Sequence, residues 1–260
     1  MRLTVLGSAA SFAGPGQACA GHLLEAAGSR VLLDCGNGVV ANLGRVIDPL
    51  TLDAVFITHD HPDHFLDVYA LQALLRYAPE GPAAPLELRL PTGLFERMQC
   101  ILSERGAGEL AAAFDVRPLV AEEPVAIGRL TITPRKVDHT DHSYALVAAD
   151  GVATLCYTSD TSPGEATLRA ACGCDLLLAE ATLPEAYEGR APHLTARQAG
   201  VLAREAGAGA LVLTHVWATN DRALAASEAA AEFAGPVMVA TELETYEVTP
   251  ASTQTEGIDV

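Results

Sequence analysis

The sequence predicts an α/β fold, and three observations carry that reading. Short apolar runs of strand length recur along the chain, among them residues 54–57, 175–179 and 210–214. Segments with helical spacing of apolar residues follow many of them. A hairpin-rich run comes first and strand–helix alternation follows, and much of this happens twice. Periodicity alone goes no further than α/β or α+β.

Taken in order, residues 3–6 read as a first strand and 7–21 as a Gly-, Ala- and Ser-rich loop around Gly14-Pro15-Gly16. Residues 22–26 and 30–34 form a hairpin about Gly28-Ser29, closed by the sharp turn Asp34-Cys35-Gly36-Asn37-Gly38. A short helix is expected over 39–47, a buried strand over 54–57 and a helix over 65–76. A Pro/Gly-rich connection over 78–85 leads to a strand at 86–90 and a helix at 94–105. Residues 125–137 hold two strand pieces broken at Gly128. The segments 144–149 and 152–157 make a hairpin around Asp150-Gly151. A helix at 164–171, a strand at 175–179, a helix at 195–206 with Thr195 as N-cap, and a strand at 210–214 come next. A helix at 223–233 and a strand at 237–240 close the pattern, and the polar tail from Pro250 is expected to fray. No repeat or linker divides the chain, so one domain is expected over 1–260.

Composition excludes some functions. Lys and Arg number 16 against 33 Asp and Glu, a net charge of −17, and Lys136 is the only lysine. Gripping long nucleic acid requires phosphate-neutralising cations, and no basic arm or stripe is present. Long nucleic acids and anionic membranes are therefore disfavoured as partners. No stretch has the length of a membrane-spanning helix, and the N-terminus reads as a strand and not as a signal peptide. The six cysteines are scattered, with only Cys172 and Cys174 close together, so a reducing cytoplasm is the default. The sequence does not decide whether the protein forms a homodimer.

Thr58-His59-Asp60-His61-Pro62-Asp63-His64 concentrates three imidazoles and two carboxylates between a strand end and a helix start. Both are good ligands for zinc and similar divalent ions. Pro62 disfavours helix at His61 and suits an irregular turn. Further ligand-type residues lie just past predicted strands: His139, Asp160 and His215. His142 competes with His139.

The His-x-His-x-Asp-His pattern resembles the signature of the metallo-β-lactamase superfamily. The resemblance implies a four-layer αββα sandwich and a site for two divalent metal ions. His59, His61 and His139 would hold one ion, Asp63, His64 and His215 the other, and Asp160 would bridge them with a water or hydroxide. His139 is preferred to His142 because its spacing to Ser143-Tyr144 matches the family. Nitrogen-rich ligation suits zinc, with manganese or iron left open.

Two further segments resemble the ribonuclease Z and small-phosphodiesterase branch. His193 precedes Leu194-Thr195 as that branch's proton donor does, and Glu180-Ala181-Thr182 matches its His-Glu-Ala-Thr segment, although Ala179 stands where the histidine is expected. The catalytic set implied is His193, Asp63 and Glu180. Bacterial ribonuclease Z carries a basic, Gly-rich arm between the third motif and the bridging aspartate, and here that interval holds only a short hairpin. The expectation is a two-metal hydrolase of small anionic phosphodiesters. A lactone, ester or thioester hydrolase and a catalytically silent metal-binding protein stand as alternatives.

Overall fold

The computed structural model describes residues 1–79 and 81–250. Its described strands form two seven-stranded sheets. The first contains β1 (Arg2–Gly7), β2 (Gly21–Ala26), β3 (Ser29–Leu33), β4 (Ala54–Phe56), β5 (Leu86–Leu90) and β6 (Phe114–Pro118) in that order, with β14 (Thr245–Glu247) beside β1. The second contains β7 (Val125–Ile127), β8 (Leu130–Lys136), β9 (Tyr144–Ala149), β10 (Thr154–Tyr157), β11 (Leu176–Glu180), β12 (Ala210–Thr214) and β13 (Val237–Val239), again in chain order.

Strand alternation explains the layers. Leu3, Val5, Ala54 and Phe56 turn toward the second sheet, where Leu155, Tyr157, Leu176, Leu178 and Val212 meet them in a shared core. Their sequence neighbours Leu6, Val55 and Ile57 face the other way, onto α1 (Val39–Leu43), α3 (Val68–Tyr77), α4 (Leu94–Gln99) and α5 (Glu104–Ala113). Cys156, Leu177, Ala179, Leu211 and Leu213 likewise face α6 (Glu165–Ala171), α7 (Ala196–Ala206) and α8 (Arg222–Ala230). Strands buried on both faces read as continuous apolar runs, which is why 176–179 and 211–213 carry almost nothing polar. The result is the αββα sandwich.

Several expectations need correction. The helix expected over 94–105 is two helices, because Ser103 caps α5 by accepting from the Gly106 N–H. The helix expected from residue 65 is preceded by a one-turn helix, α2 (Pro62–Phe65), with His61 at its N-cap. Pro62 occupies the first helical position, where its fixed φ helps and its missing N–H costs nothing, so the metal loop is more ordered than a plain irregular turn. Strands β6 and β14 were not anticipated. Both are sheet edges and mostly exposed, so neither carries an apolar run. Thr195 does cap α7, in a capping box with Gln198. The expected frayed tail, beyond Pro250, lies outside the described residues.

Strands β3 and β4 run parallel, as do β10, β11 and β12, and β8 runs parallel to β10 across β9. Their C-terminal ends therefore share one rim of the sandwich. Gly36 fits the metal loop onto that rim: a Cβ there would lie 2.0 Å from the Asp63 carbonyl oxygen. Gly36→Ala is expected to cost about 1–3 kcal/mol through overpacking against backbone and to impair metal uptake. Urea unfolding of metal-free protein with an unchanged midpoint would contradict this.

Candidate metal centre

Each candidate ligand sits where a strand meets the rim. His59 follows β4, His61, Asp63 and His64 belong to α2 and its cap, His139 follows β8, Asp160 follows β10 and His215 follows β12. Two separate groups of ligand atoms form, and a third, Asp160, His193 and His215, overlaps them. His59, His61, His139 and Asp160 make one, and Asp63, His64 and His215 the other, with the atoms of each group within 4.8 Å of one another. Asp160 faces both. Its Oδ2 lies 3.6 Å from His59 Nε2 and 3.6 Å from His139 Nε2, and its Oδ1 lies 3.3 Å from His64 Nε2.

Hydrogen bonds behind the imidazoles set their tautomers. His64 Nδ1 donates to Asp34 Oδ2 at 2.7 Å, and His139 Nδ1 donates to the Pro192 carbonyl at 2.8 Å. His215 Nδ1 lies 2.8 Å from Thr182 Oγ1, which itself donates to Glu180. His59 Nδ1 lies 3.1 Å from Thr58 Oγ1, which donates to Asp34. With Nδ1 spent as a donor, each ring turns an Nε2 lone pair to the centre.

This arrangement fits a pair of cations. His139 Nε2 and His61 Nδ1 approach to 3.1 Å in one group, and His64 Nε2 and His215 Nε2 to 3.1 Å in the other. Each close pair either shares a proton in a hydrogen bond or turns two lone pairs to a common cation. Buried His59 Nε2 and Asp160 Oδ1 have no hydrogen-bond partner. Buried polar atoms without partners are costly, and a metal ion would satisfy both. The donor set of five imidazoles and two carboxylates suits zinc or another divalent transition ion.

Electrostatics show what a cation would replace. Burial pushes His59 well below its usual pKa, and burial also lowers His139. Burial acts the same way on His64, but Asp160 and Asp34 on either side outweigh it and hold its pKa well above the usual value. Burial resists ionisation of Asp160, yet His215 and His64 keep its pKa well below the carboxylate range.

Backbone strain marks the same rim. Ser11, Asp34, Ser159 and His215 are four of the seven described non-glycine residues with left-handed φ, at 59°, 59°, 54° and 50°. Each costs roughly 1–2 kcal/mol and is held by its surroundings. Ser11 donates its N–H to Asp63 Oδ2 at 2.7 Å.

The residues singled out from the sequence fall into two sets. The seven candidate ligands converge. His193 and Glu180 stand beside them: His193 Nδ1 lies 3.0 Å from Glu180 Oε1 and 3.9 Å from Asp160 Oδ2. Glu180 is fully buried, and its oxygens accept from Thr161 N–H and Thr182 Oγ1 as well. It thus holds His193 Nδ1 from behind. His142 is exposed and outside both groups. Cys172 is exposed and Cys174 buried, and both are free thiols.

Asp34 escaped the sequence reading. It accepts from His64 Nδ1, Thr58 N and Oγ1, and Tyr157 Oη, all at 2.7–2.9 Å. Its position as an acid directly after a strand was the same signal that pointed to Asp160. His22 was also missed. It is buried edge-on to Tyr157 with neither ring nitrogen bonded, and burial pushes its pKa down to about 3.

The purified protein is expected to take up about two transition-metal ions per chain, following the two-group geometry. Asp160→Asn should lower occupancy of both positions together, as read by elemental analysis after reconstitution. One ion or none in the parent protein, or loss of a single ion in the variant, would contradict the assignment of Asp160 to both groups.

The family model described as a beta-lactamase superfamily domain matches residues 29–216. YhfI of Bacillus subtilis is 30% identical over 220 residues, covering 83% of this chain and 87% of its own. The crystal structure of YhfI, a metallo-β-lactamase fold protein, matches with a TM-score of 0.85 at 28% identity, over 95% of this chain and 99% of that one. Ribonuclease Z of Methanothermobacter thermautotrophicus is 26% identical over 307 aligned residues, covering 95% of this chain and 97% of its own. A diphosphatase of the PhnP family shares the fold, with a TM-score of 0.72 and 20% identity over 96% of this chain and 99% of that one. The chain belongs to the metallo-β-lactamase superfamily, on its ribonuclease Z-like branch.

Proposed function

We propose that the protein is a metal-dependent hydrolase of small phosphodiesters. The observation that carries this reading is the pairing of a two-group ligand cluster with a histidine poised against Glu180 at its edge. When bound, two divalent ions supply a water nucleophile at neutral pH and stabilise charge on phosphoryl oxygens. His193 supplies what they lack, a proton for the departing alkoxide. Its Nδ1 is held by Glu180, which leaves Nε2 to donate. Burial disfavours the charged ring, but the hydrogen bond and charge of Glu180 outweigh it and raise the pKa, which favours the proton-donating form. A water oxygen bonds to phosphorus as the P–O bond to the leaving group breaks, the Nε2 proton goes to the departing oxygen, and the proton released by the attacking water restores that of His193.

Charge supports a small substrate. With 33 acidic against 16 basic side chains, the protein repels polyanions that do not fit the centre itself. The interval between His139 and Asp160 holds only the β9–β10 hairpin, and no basic arm extends from it. The similarity to ribonuclease Z and to a diphosphatase supports phosphoester chemistry. Lactone, ester or thioester hydrolysis on the same ligands is the competing reading.

On metal-reconstituted protein, bis-aryl phosphodiesters or cyclic nucleotides are expected to turn over faster than lactones and thioesters, and precursor transfer RNA to be processed weakly or not at all. Faster lactone turnover, or efficient salt-sensitive cleavage of precursor transfer RNA, would overturn the reading. His193→Ala should retain both metals but lose about 10²–10⁴ in rate on esters with basic leaving groups, and lose less on activated aryl esters. An equal loss on both classes would remove His193 as general acid.

A further inference from the structure

Beside the centre, the chain from Leu183 to Thr195 forms a loop closed at its base. Leu183 N–H donates to the Leu194 carbonyl at 3.0 Å, and Leu183 and Thr195 form a β-bridge. The Pro192 carbonyl ties the loop to His139. Arg190 stands on this loop with its guanidinium carbon 4.9 Å from the centroid of the Tyr187 ring, and Tyr187 in turn meets Trp217 edge-on at 6.5 Å. A guanidinium over an aromatic face is held in place without being neutralised.

Neutralisation is the rule elsewhere. Ten of the fifteen arginines lie in ion pairs with Asp or Glu. Arg190 has no such pair among the described residues. Glu188, the nearby acid on the loop, is instead hydrogen-bonded by Gln198 Nε2 at 3.1 Å. Arg190 and His193 line one open depression of about 460 Å³, together with Ser162, Pro163, Gln198 and the Glu188 carboxylate that Gln198 holds. A leaving oxygen that takes its proton from His193 carries its substituent into the volume that His193 lines.

We propose that this depression is the leaving-group site and that Arg190 selects phosphodiesters whose departing alcohol bears its own negative charge, a second phosphate or a carboxylate. The proposal rests on the hydrolase reading above. An unpaired, aromatic-mounted guanidinium in a strongly acidic protein attracts an anion and forks onto two of its oxygens, which a neutral leaving group cannot exploit.

The test has two arms. In the first, metal-loaded protein hydrolyses methyl 4-nitrophenyl phosphate and its analogue with a carboxylate on the aryl ring. The carboxylated leaving group is expected to be favoured in kcat/KM by about tenfold, the scale of one charge-assisted hydrogen bond at an open site, with Arg190→Ala bringing the ratio to about one and Arg190→Lys retaining part of it. Arg129→Ala, at the opposite end of β8, should leave the ratio as it is. In the second arm, metal-free protein is titrated with glycerol 1-phosphate and with glycerol, read by the fluorescence of Trp217, the only tryptophan. Saturable binding of the phosphate alone, lost in Arg190→Ala, is expected. Equal preference for both aryl esters, or phosphate binding that survives Arg190→Ala, would overturn the proposal. If no phosphodiester turns over while lactones do, the phosphodiester reading falls, and the fluorescence arm alone then decides whether Arg190 is an anion site.

Discussion

One buried carboxylate, that of Asp160, is the interaction on which the rim depends. Five imidazoles converge on it or on its neighbours, and its two oxygens face different groups. Burial makes its charge expensive and leaves Oδ1 without a hydrogen bond. Nitrogens 3.1 Å apart in each group share either a proton or a cation. The cluster is stable only with positive charge at its centre, supplied by protons or by cations.

The two sheets exist, in functional terms, to bring these atoms together. Parallel strands bring their C-terminal ends to one edge, and turns there adopt left-handed backbone at Asp34, Ser159 and His215 that an ordinary loop would avoid. A wider layer of bonds then fixes each ring. Asp34 ties His64 to Thr58 and Tyr157 across the sheet interface, and Thr182 and Glu180 tie His215 to His193. The candidate ligands and His193 are thus members of one connected network, and the loop that carries Arg190 hangs from it through Pro192.

Much of this was legible in the sequence because metal ligation demands particular residue types at strand ends. The His59–His64 cluster, His139, Asp160 and His215 announced themselves by chemistry and position. Continuous apolar runs gave most strands, since both sheet faces are buried. What escaped was what leaves no such signal. Edge strands β6 and β14 are exposed and carry no apolar run. The break before α5 depends on one capping hydroxyl at Ser103. Asp34 reads as a turn residue until its four partners are seen. Arg190 was passed over because only the structure reveals which arginines are already paired.

The central claim is that Asp160 is shared between two cations at this rim. Anomalous diffraction from crystals of the metal-loaded protein tests it most directly. Two peaks about 3.5–4 Å apart are expected, one among His59, His61 and His139 and the other among Asp63, His64 and His215, with Asp160 touching both. A single peak, or two peaks of which Asp160 contacts only one, would contradict it.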